Sequence, residues 1–235
     1  MTQHYLQGRT EKELLWFQRR DVIKSAGAWL AMGGLPAAMA QQRSNVVQLT
    51  GDALLNGSTL NAGQTVVTGD RIQTGPASQL VFVLGNASFL VRENSSLTVE
   101  RGTTLSTVGL LRLLTGAVAS VWGKGPTRSI VMPTMTAGIR GTGVYAEVMS
   151  PERSYFCNCY GTVDIEASGS KTESRSMYHQ SYWGTQELET PALTSAPAIN
   201  HSDEELEFLA GLVNQRTAWQ IAGRKGVKDG KGRMY

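Results

Sequence analysis

Apolar and polar positions alternate in short runs through the middle of this chain. From Val46 to about Val121, stretches rich in Val, Leu, Phe and Thr are separated by Gly, Asn and Ser. Leu80-Val-Phe-Val-Leu84 precedes Gly85-Asn86, Ser88-Phe-Leu-Val-Arg92 precedes Glu93-Asn94, and Leu97-Thr-Val-Glu100 precedes Arg101-Gly102. Short runs of this kind, each bounded by turn formers, predict an all-β fold. The runs also resemble one another: Ser78-x-Leu80-x-Phe82, Ser88-Phe-Leu-Val91 and Ser96-Leu-x-Val99. Such self-similarity favours a β-solenoid or β-roll, in which each rung stacks on the next. An antiparallel β-sandwich is the alternative.

Residues 109–123 read as a strand, a turn at Thr115-Gly116 and a second strand. Ile130-Val131, Gly143–Val148, Ser154–Tyr160 and Thr162–Glu166 continue the series. Residues 167–200 are polar and punctuated by proline, which predicts loops with one strand near Met177–Tyr182. The period then changes. Ser202-Asp-Glu-Glu205 has the form of a capping box, and Leu206, Leu209, Leu212 and Val213 form one stripe. These predict a short C-terminal helix over about 203–215. Residues 223–235 are rich in Gly and Lys and read as a disordered basic tail. The expected organisation is a leader over 1–40, a β domain over 41–168, a loop region with the helix over 169–222, and the tail.

Composition agrees with many turns: the 235 residues include 26 glycines, and aromatic residues make up 7%. The formal charge is +3. Arg224, Lys225, Lys228, Lys231 and Arg233 concentrate positive charge in the tail, and acidic side chains outnumber basic ones in the body before it. A body of that sign lacks the electrostatic footprint of nucleic-acid binding.

The leader has its own pattern. Arg19-Arg20 is followed by Asp21, Val22, Ile23 and Lys24, then by a mildly apolar run from Ser25 to Pro36, and then by Ala38-Met39-Ala40. The small-x-small ending is one that a signal peptidase accepts, which places cleavage after Ala40. The run is too short and too rich in Gly and Ala for a spanning helix, which needs ~20 apolar residues. The segment resembles the twin-arginine signal family, Ser/Thr-Arg-Arg-x-Phe-Leu-Lys, with Gln18, Val22 and Ile23 departing from it. That resemblance implies export of a folded protein to the periplasm, with no transmembrane segment after signal removal.

Two further stretches are similar to the FecR family of periplasmic domains. One is Leu60–Gly75, with Gly69-Asp70-Arg-Ile-Gln-Thr74-Gly75 followed by Ser78 and an apolar strand. The other is Ile139-Arg140-Gly141-Thr142-Gly143-Val-Tyr145, after a strand ending Met132-Pro133-Thr134. The resemblance covers about residues 45–168. It implies a non-enzymatic binding or signalling module with an envelope protein as partner. Arg140, between two turn positions, reads either as a structural arginine that neutralises carbonyl ends or as a contact for an acidic partner. By their own chemistry the Gly-Asp and Thr-Gly pairs are turn residues. Only about 20 residues precede the apolar run, short of the cytoplasmic helical segment of the family's sigma-factor regulators. A stand-alone periplasmic domain is therefore expected.

The remaining chemistry lies in Cys157 and Cys159, the only cysteines. On a strand, residues i and i+2 share a face, so the two sulfurs would lie side by side. His179 and His201 are the only histidines after the leader, and His201 stands just before Asp203 at the predicted helix start. Two thiols and two imidazoles make a donor set for a soft or borderline metal ion. Buried free thiols, a Cys-x-Cys disulfide and a redox thiolate are the competing readings. Gly-x-Ser-x-Gly, the Walker pattern and His-Glu-x-x-His are all absent, so the chain is not expected to be an enzyme, and no small-molecule substrate is indicated.

Overall fold

A strand buried on both faces reads as a continuous apolar run, and a half-buried one alternates. Both kinds occur here, and they sort the chain into layers. The computed structural model describes residues 44–61, 63–104, 107–186 and 191–233. Arg19, Arg20, Lys24, Ala38 and Ala40 of the expected export signal lie outside the described residues.

The strands are β1 (Val46–Thr50), β2 (Ala53–Leu55), β3 (Ser58–Thr59), β4 (Arg71–Thr74), β5 (Gln79–Leu84), β6 (Ala87–Val91), β7 (Ser96–Arg101) and β8 (Val108–Trp122). They continue as β9 (Arg128–Val131), β10 (Thr136–Ile139), β11 (Gly143–Ser150), β12 (Arg153–Ala167), β13 (Ser170–Ser176), β14 (Tyr178–Thr185), β15 (Leu193–Ala196) and β16 (Lys231–Gly232). Two helices, α1 (Asp203–Leu212) and α2 (Ala218–Ala222), lie between the last two strands.

One sheet runs β1-β5-β6-β8-β11-β12-β14, with β15 and β16 end to end on the far edge of β14. The other runs β3-β2-β4-β7-β8-β9-β10-β12-β13. Among the described residues only the β8–β9 pairing is parallel. The fold is all-β as expected, but the stacked parallel rungs of a solenoid are not what these strands form. Of the three similar runs, β5 and β6 form an antiparallel hairpin, while β7 lies in the other sheet, so they are not one repeated rung.

Two long strands belong to both sheets. β8 pairs with β7 up to Thr115 and with β11 from Gly116 onward. Gly116 has φ +73°, and a Cβ there would lie 2.2 Å from Ser95 Oγ, so only glycine fits the bend. The expected turn at Thr115-Gly116 is thus a kink inside one continuous strand. β12 does the same at Gly161 (φ +101°), where a Cβ would meet Thr142 at 2.7 Å. Before it β12 pairs with β14, and after it with β10 and β13.

The inner faces of the two sheets enclose the main core. Leu80, Phe82, Phe89, Val118, Trp122, Val144 and Phe156 face Ile72, Leu97, Val99, Leu111, Ile130, Val163 and Ile165. Phe89 stacks on Phe82 and meets Trp122 edge to face, with centroids 4.8 and 5.0 Å apart. The outer face of the first sheet is apolar too, and carries Val81, Leu90, Ala119, Val121, Tyr145, Tyr155 and Cys157. It is covered by Leu206, Leu209 and Ala210 of α1 and Trp219 of α2. The order is sheet, sheet, helical cover.

The expected boundary at residue 168 falls inside a hairpin. β13 and β14 both pair with β12, so residues 169–185 are part of the sheets rather than a loop region. The stretch reads as polar because β13 is an edge strand whose outward side chains meet water. The expected disordered tail is also structured up to Arg233. Tyr178 pairs with Gly232 and Gln180 with Lys231, and Ser181 N–H donates to the Gly230 carbonyl. Its composition hides this because its anchors are charged partners elsewhere in the chain. Among the described residues, no helix is long and apolar enough to cross a membrane.

Candidate metal centre

Strand alternation places Cys157 and Cys159 on the outer face of the first sheet, both fully buried, with sulfurs 3.7 Å apart. Both are free thiols; a disulfide would hold the sulfurs at about 2.05 Å. β14 pairs beside them, with Ser181 opposite Cys157. His179 stands two residues before Ser181 in a backbone conformation unusual for a non-glycine residue, φ +49°, where the β14–β16 register is interrupted. Neighbouring strand residues ordinarily point to opposite faces. This kink instead turns Tyr178 and His179 to the same side, and both reach the Asp203 carboxylate.

The fourth donor comes from the cover. Asn200, at φ +61°, turns the chain into α1, whose start is fixed by a capping box: Ser202 Oγ accepts from Glu205 N–H, and Glu205 accepts from Ser202 N–H. His201 precedes that cap and stacks on Tyr145, centroids 4.7 Å apart. The donor atoms of Cys157, Cys159, His179 and His201 all lie within 4.8 Å of one another. Cys157 Sγ is 3.7 Å from His179 Nδ1, and His179 Nδ1 is 2.9 Å from His201 Nε2.

The other nitrogen of each ring is committed. His179 Nε2 lies 2.9 Å from Asp203 Oδ1, and His201 Nδ1 lies 2.6 Å from the Ile199 carbonyl. Both acceptors lack a proton, so both of those nitrogens carry N–H. In their neutral forms the facing nitrogens would then set lone pair against lone pair across 2.9 Å. Only a cation between or beside them, a proton or a metal ion, makes that arrangement favourable.

The surrounding charges point the same way. Burial raises the thiol of Cys157, but the hydrogen bond from Cys159 and the proximity of His201 and His179 outweigh it and hold that thiol well below its ordinary range. Burial, reinforced by the neighbouring Cys157, holds Cys159 well above it. Burial alone would raise Asp203; His179, Lys225 and Lys228 overcome it and keep the carboxylate ionised far below its usual range. His179 is raised despite its burial, chiefly by Asp203.

Neither a family model nor a curated protein sequence matches the chain. Solved structures that align with it include two crystal structures of a candidate anti-sigma factor from Parabacteroides distasonis. One is 9% identical over 62% of this chain, with a TM-score of 0.45; the other is 7% identical over 60%, with a TM-score of 0.46. The chain spans just under two thirds of those structures, 66% and 65% of their length. At these scores the likeness identifies neither a family nor an activity.

The motif residues expected to meet a partner lie elsewhere and are held within the fold. Asp70 closes a turn that begins with Val67 and passes through Gly69 at φ +103°, accepting from Val67 N–H at 2.7 Å and from Asn56 Nδ2 at 2.7 Å. Thr74 donates to the Arg92 carbonyl, and Gly75 N–H to the Asp52 carbonyl. Arg140-Gly141-Thr142 carries the chain from β10 in one sheet to β11 in the other. Thr142 is buried against Asn158, and Arg140 is paired with Asp164, its Nε 3.0 Å from Oδ2. The structure brings together the four candidate ligands and leaves these motif residues outside the centre. Sequence reasoning noted Asp203 only as a nearby carboxylate. It missed Tyr178, Lys225 and Lys228, for which no local signal exists.

Proposed function

We propose that this chain is a metal-binding, non-catalytic module of the bacterial cell envelope. One zinc-type ion, held by Cys157, Cys159, His179 and His201, ties the helical cover to the sandwich. The observation that carries this reading is the gathering of four donor atoms within 4.8 Å of one another, two imidazole nitrogens 2.9 Å apart beside two buried sulfurs. Zinc bonds of about 2.3 Å to sulfur and about 2.0 Å to nitrogen give tetrahedral edges of about 3.8 Å between sulfurs and about 3.3 Å between nitrogens. The sulfurs already stand at 3.7 Å, and the nitrogens need to part by a few tenths of an ångström. Each imidazole has the outer hydrogen bond that metal-binding histidines use to fix their tautomer.

Four protein donors fill a tetrahedral site, which is the pattern of a structural rather than a catalytic zinc centre. The FecR-like motifs support a role in binding another envelope protein, and the twin-arginine-like leader supports loading in the cytoplasm followed by export in the folded state. Metal analysis of protein purified without chelators tests the centre. One zinc per chain is expected, with loss in Cys157→Ser and Cys159→Ser. Metal-free protein from zinc-replete cells, with two thiols titratable after unfolding, would overturn it. For export, Arg19→Lys with Arg20→Lys should leave the precursor in the cytoplasm; normal periplasmic accumulation would refute that route.

A further inference from the structure

Asp203 is 5% exposed, and each of its carboxylate oxygens has two partners. Oδ1 accepts from His179 Nε2 and lies 3.1 Å from Lys228 Nζ. Oδ2 accepts from the Tyr178 hydroxyl at 2.9 Å and lies 2.8 Å from Lys225 Nζ. Two of these four partners come from the basic segment after α2. Lys228 also donates to the His201 carbonyl at 3.0 Å. The segment therefore reaches one histidine through Asp203 and the other directly. Its backbone brackets the first of them again: Gly232 and Lys231 pair with Tyr178 and Gln180, on either side of His179.

The geometry points to a strap. Residues 224–232 close the metal centre from outside and set the rate at which the ion leaves. Cys157, Cys159 and His179 are fully buried, so an ion bound there can escape only where the cover opens. The covering layer beside His179 is this segment together with Trp219, whose ring stacks on the His179 ring at 5.2 Å. Lys225 and Lys228 are partly exposed, so their pairing with Asp203 is the step that can loosen without unfolding the sheets. Loosening frees the Asp203 carboxylate to move and removes the restraint on the His179 ring. The strap is then a set of positioning residues for a ligand far from it in sequence. This inference rests on the metal reading above.

The experiment uses the full chain loaded with zinc and measures transfer of that zinc to a chromogenic chelator. Lys225→Gln with Lys228→Gln is expected to bind one zinc per chain, like the unaltered protein, and to release it about 10-fold faster, matching the low end of the affinity loss that follows removal of an outer-shell partner. Salt should accelerate release from the unaltered protein and do little to the double variant, because the pairs it screens are gone. Ser88→Ala, which loosens the same cover near the other end of α1, serves as the control. Release from the double variant no faster than from Ser88→Ala overturns the strap and leaves the metal centre standing. Absence of zinc from the unaltered protein overturns both.

Discussion

Ser88 Oγ, buried on the outer face of β6, donates a 2.7 Å hydrogen bond to the carbonyl of Leu209 in α1. The last turn of a helix leaves carbonyls without an internal partner. The Val213 N–H, which would serve Leu209 in a longer helix, turns to Ala210 and Gly211 instead. Ser88 thus satisfies a buried acceptor and ties the cover to the sheet near the end of α1 opposite Asp203. Replacing Ser88 by Ala should cost about 1–3 kcal/mol, the range for leaving a buried acceptor unpaired. Chemical denaturation of the zinc-loaded protein checks this; an unchanged midpoint would mean that water takes the hydroxyl's place.

The turn between β2 and β3 and the kink in β8 give a contrast between glycines. Gly57 has φ +83° with open space around the position of a Cβ, and Gly116 has φ +73° with Ser95 in the way. Gly57→Ala should cost about 1–2 kcal/mol, the price of the left-handed backbone alone. Gly116→Ala should cost more, because Ser95 must move and its hydrogen bonds with Ala117, 2.9 and 3.2 Å long, are then disturbed. Equal losses in thermal melts of the two variants would show that Ser95 yields freely.

Arg140 offers a separation of stability from binding. Its partner Asp164 is half-exposed, as it is itself. Exposed ion pairs contribute about 0–1 kcal/mol. Arg140→Ala should therefore melt within a few degrees of the unaltered protein. If Arg140 is where an envelope partner binds, pull-down of that partner from a periplasmic extract should fall without loss of fold. A large drop in melting temperature would instead make Arg140 structural.

Metal removal should act unevenly. The core between the sheets contains none of the candidate ligands, whereas the layer under α1 contains both cysteines. Chelation should lower the melting temperature markedly, since binding a structural zinc contributes on the order of 10 kcal/mol in small domains. Hydrogen exchange after chelation should quicken first in residues 199–232 and least in β6 and the second half of β8. Uniform loss of protection across the chain would contradict two separable layers.

The legible parts of this molecule are those where one residue's neighbours in sequence are also its neighbours in space. Ser202 and Glu205 announce the start of α1 because both halves of the capping box lie within one turn. Cys157 and Cys159 announce a shared face because a strand has a period of two. The kink at His179 had no such signal, since Met177, Tyr178 and Gln180 do not demand a left-handed residue between them. The lysines of the strap look like a solvated tail because the carboxylate that orders them lies more than one element away. The strand-turn-strand reading of 109–123 failed for a related reason. Glycine marks a reversal and a bend alike, and only the presence of Ser95 and β11 decides which forms.

The sharing of β8 and β12 between the sheets has a consequence for synthesis. A ribosome that has released the chain only as far as residue 168 has supplied one partner of Tyr155–Asn158, β11, but not the other, β14. Neither sheet can finish by itself, because each borrows half of a strand whose other half is held by its neighbour. Contacts so distant along the chain place an all-β protein among the slower folders, on the order of milliseconds to seconds. The first sheet lacks β14 until residue 185 has emerged, and the edge contact from Lys231 and Gly232 forms later still.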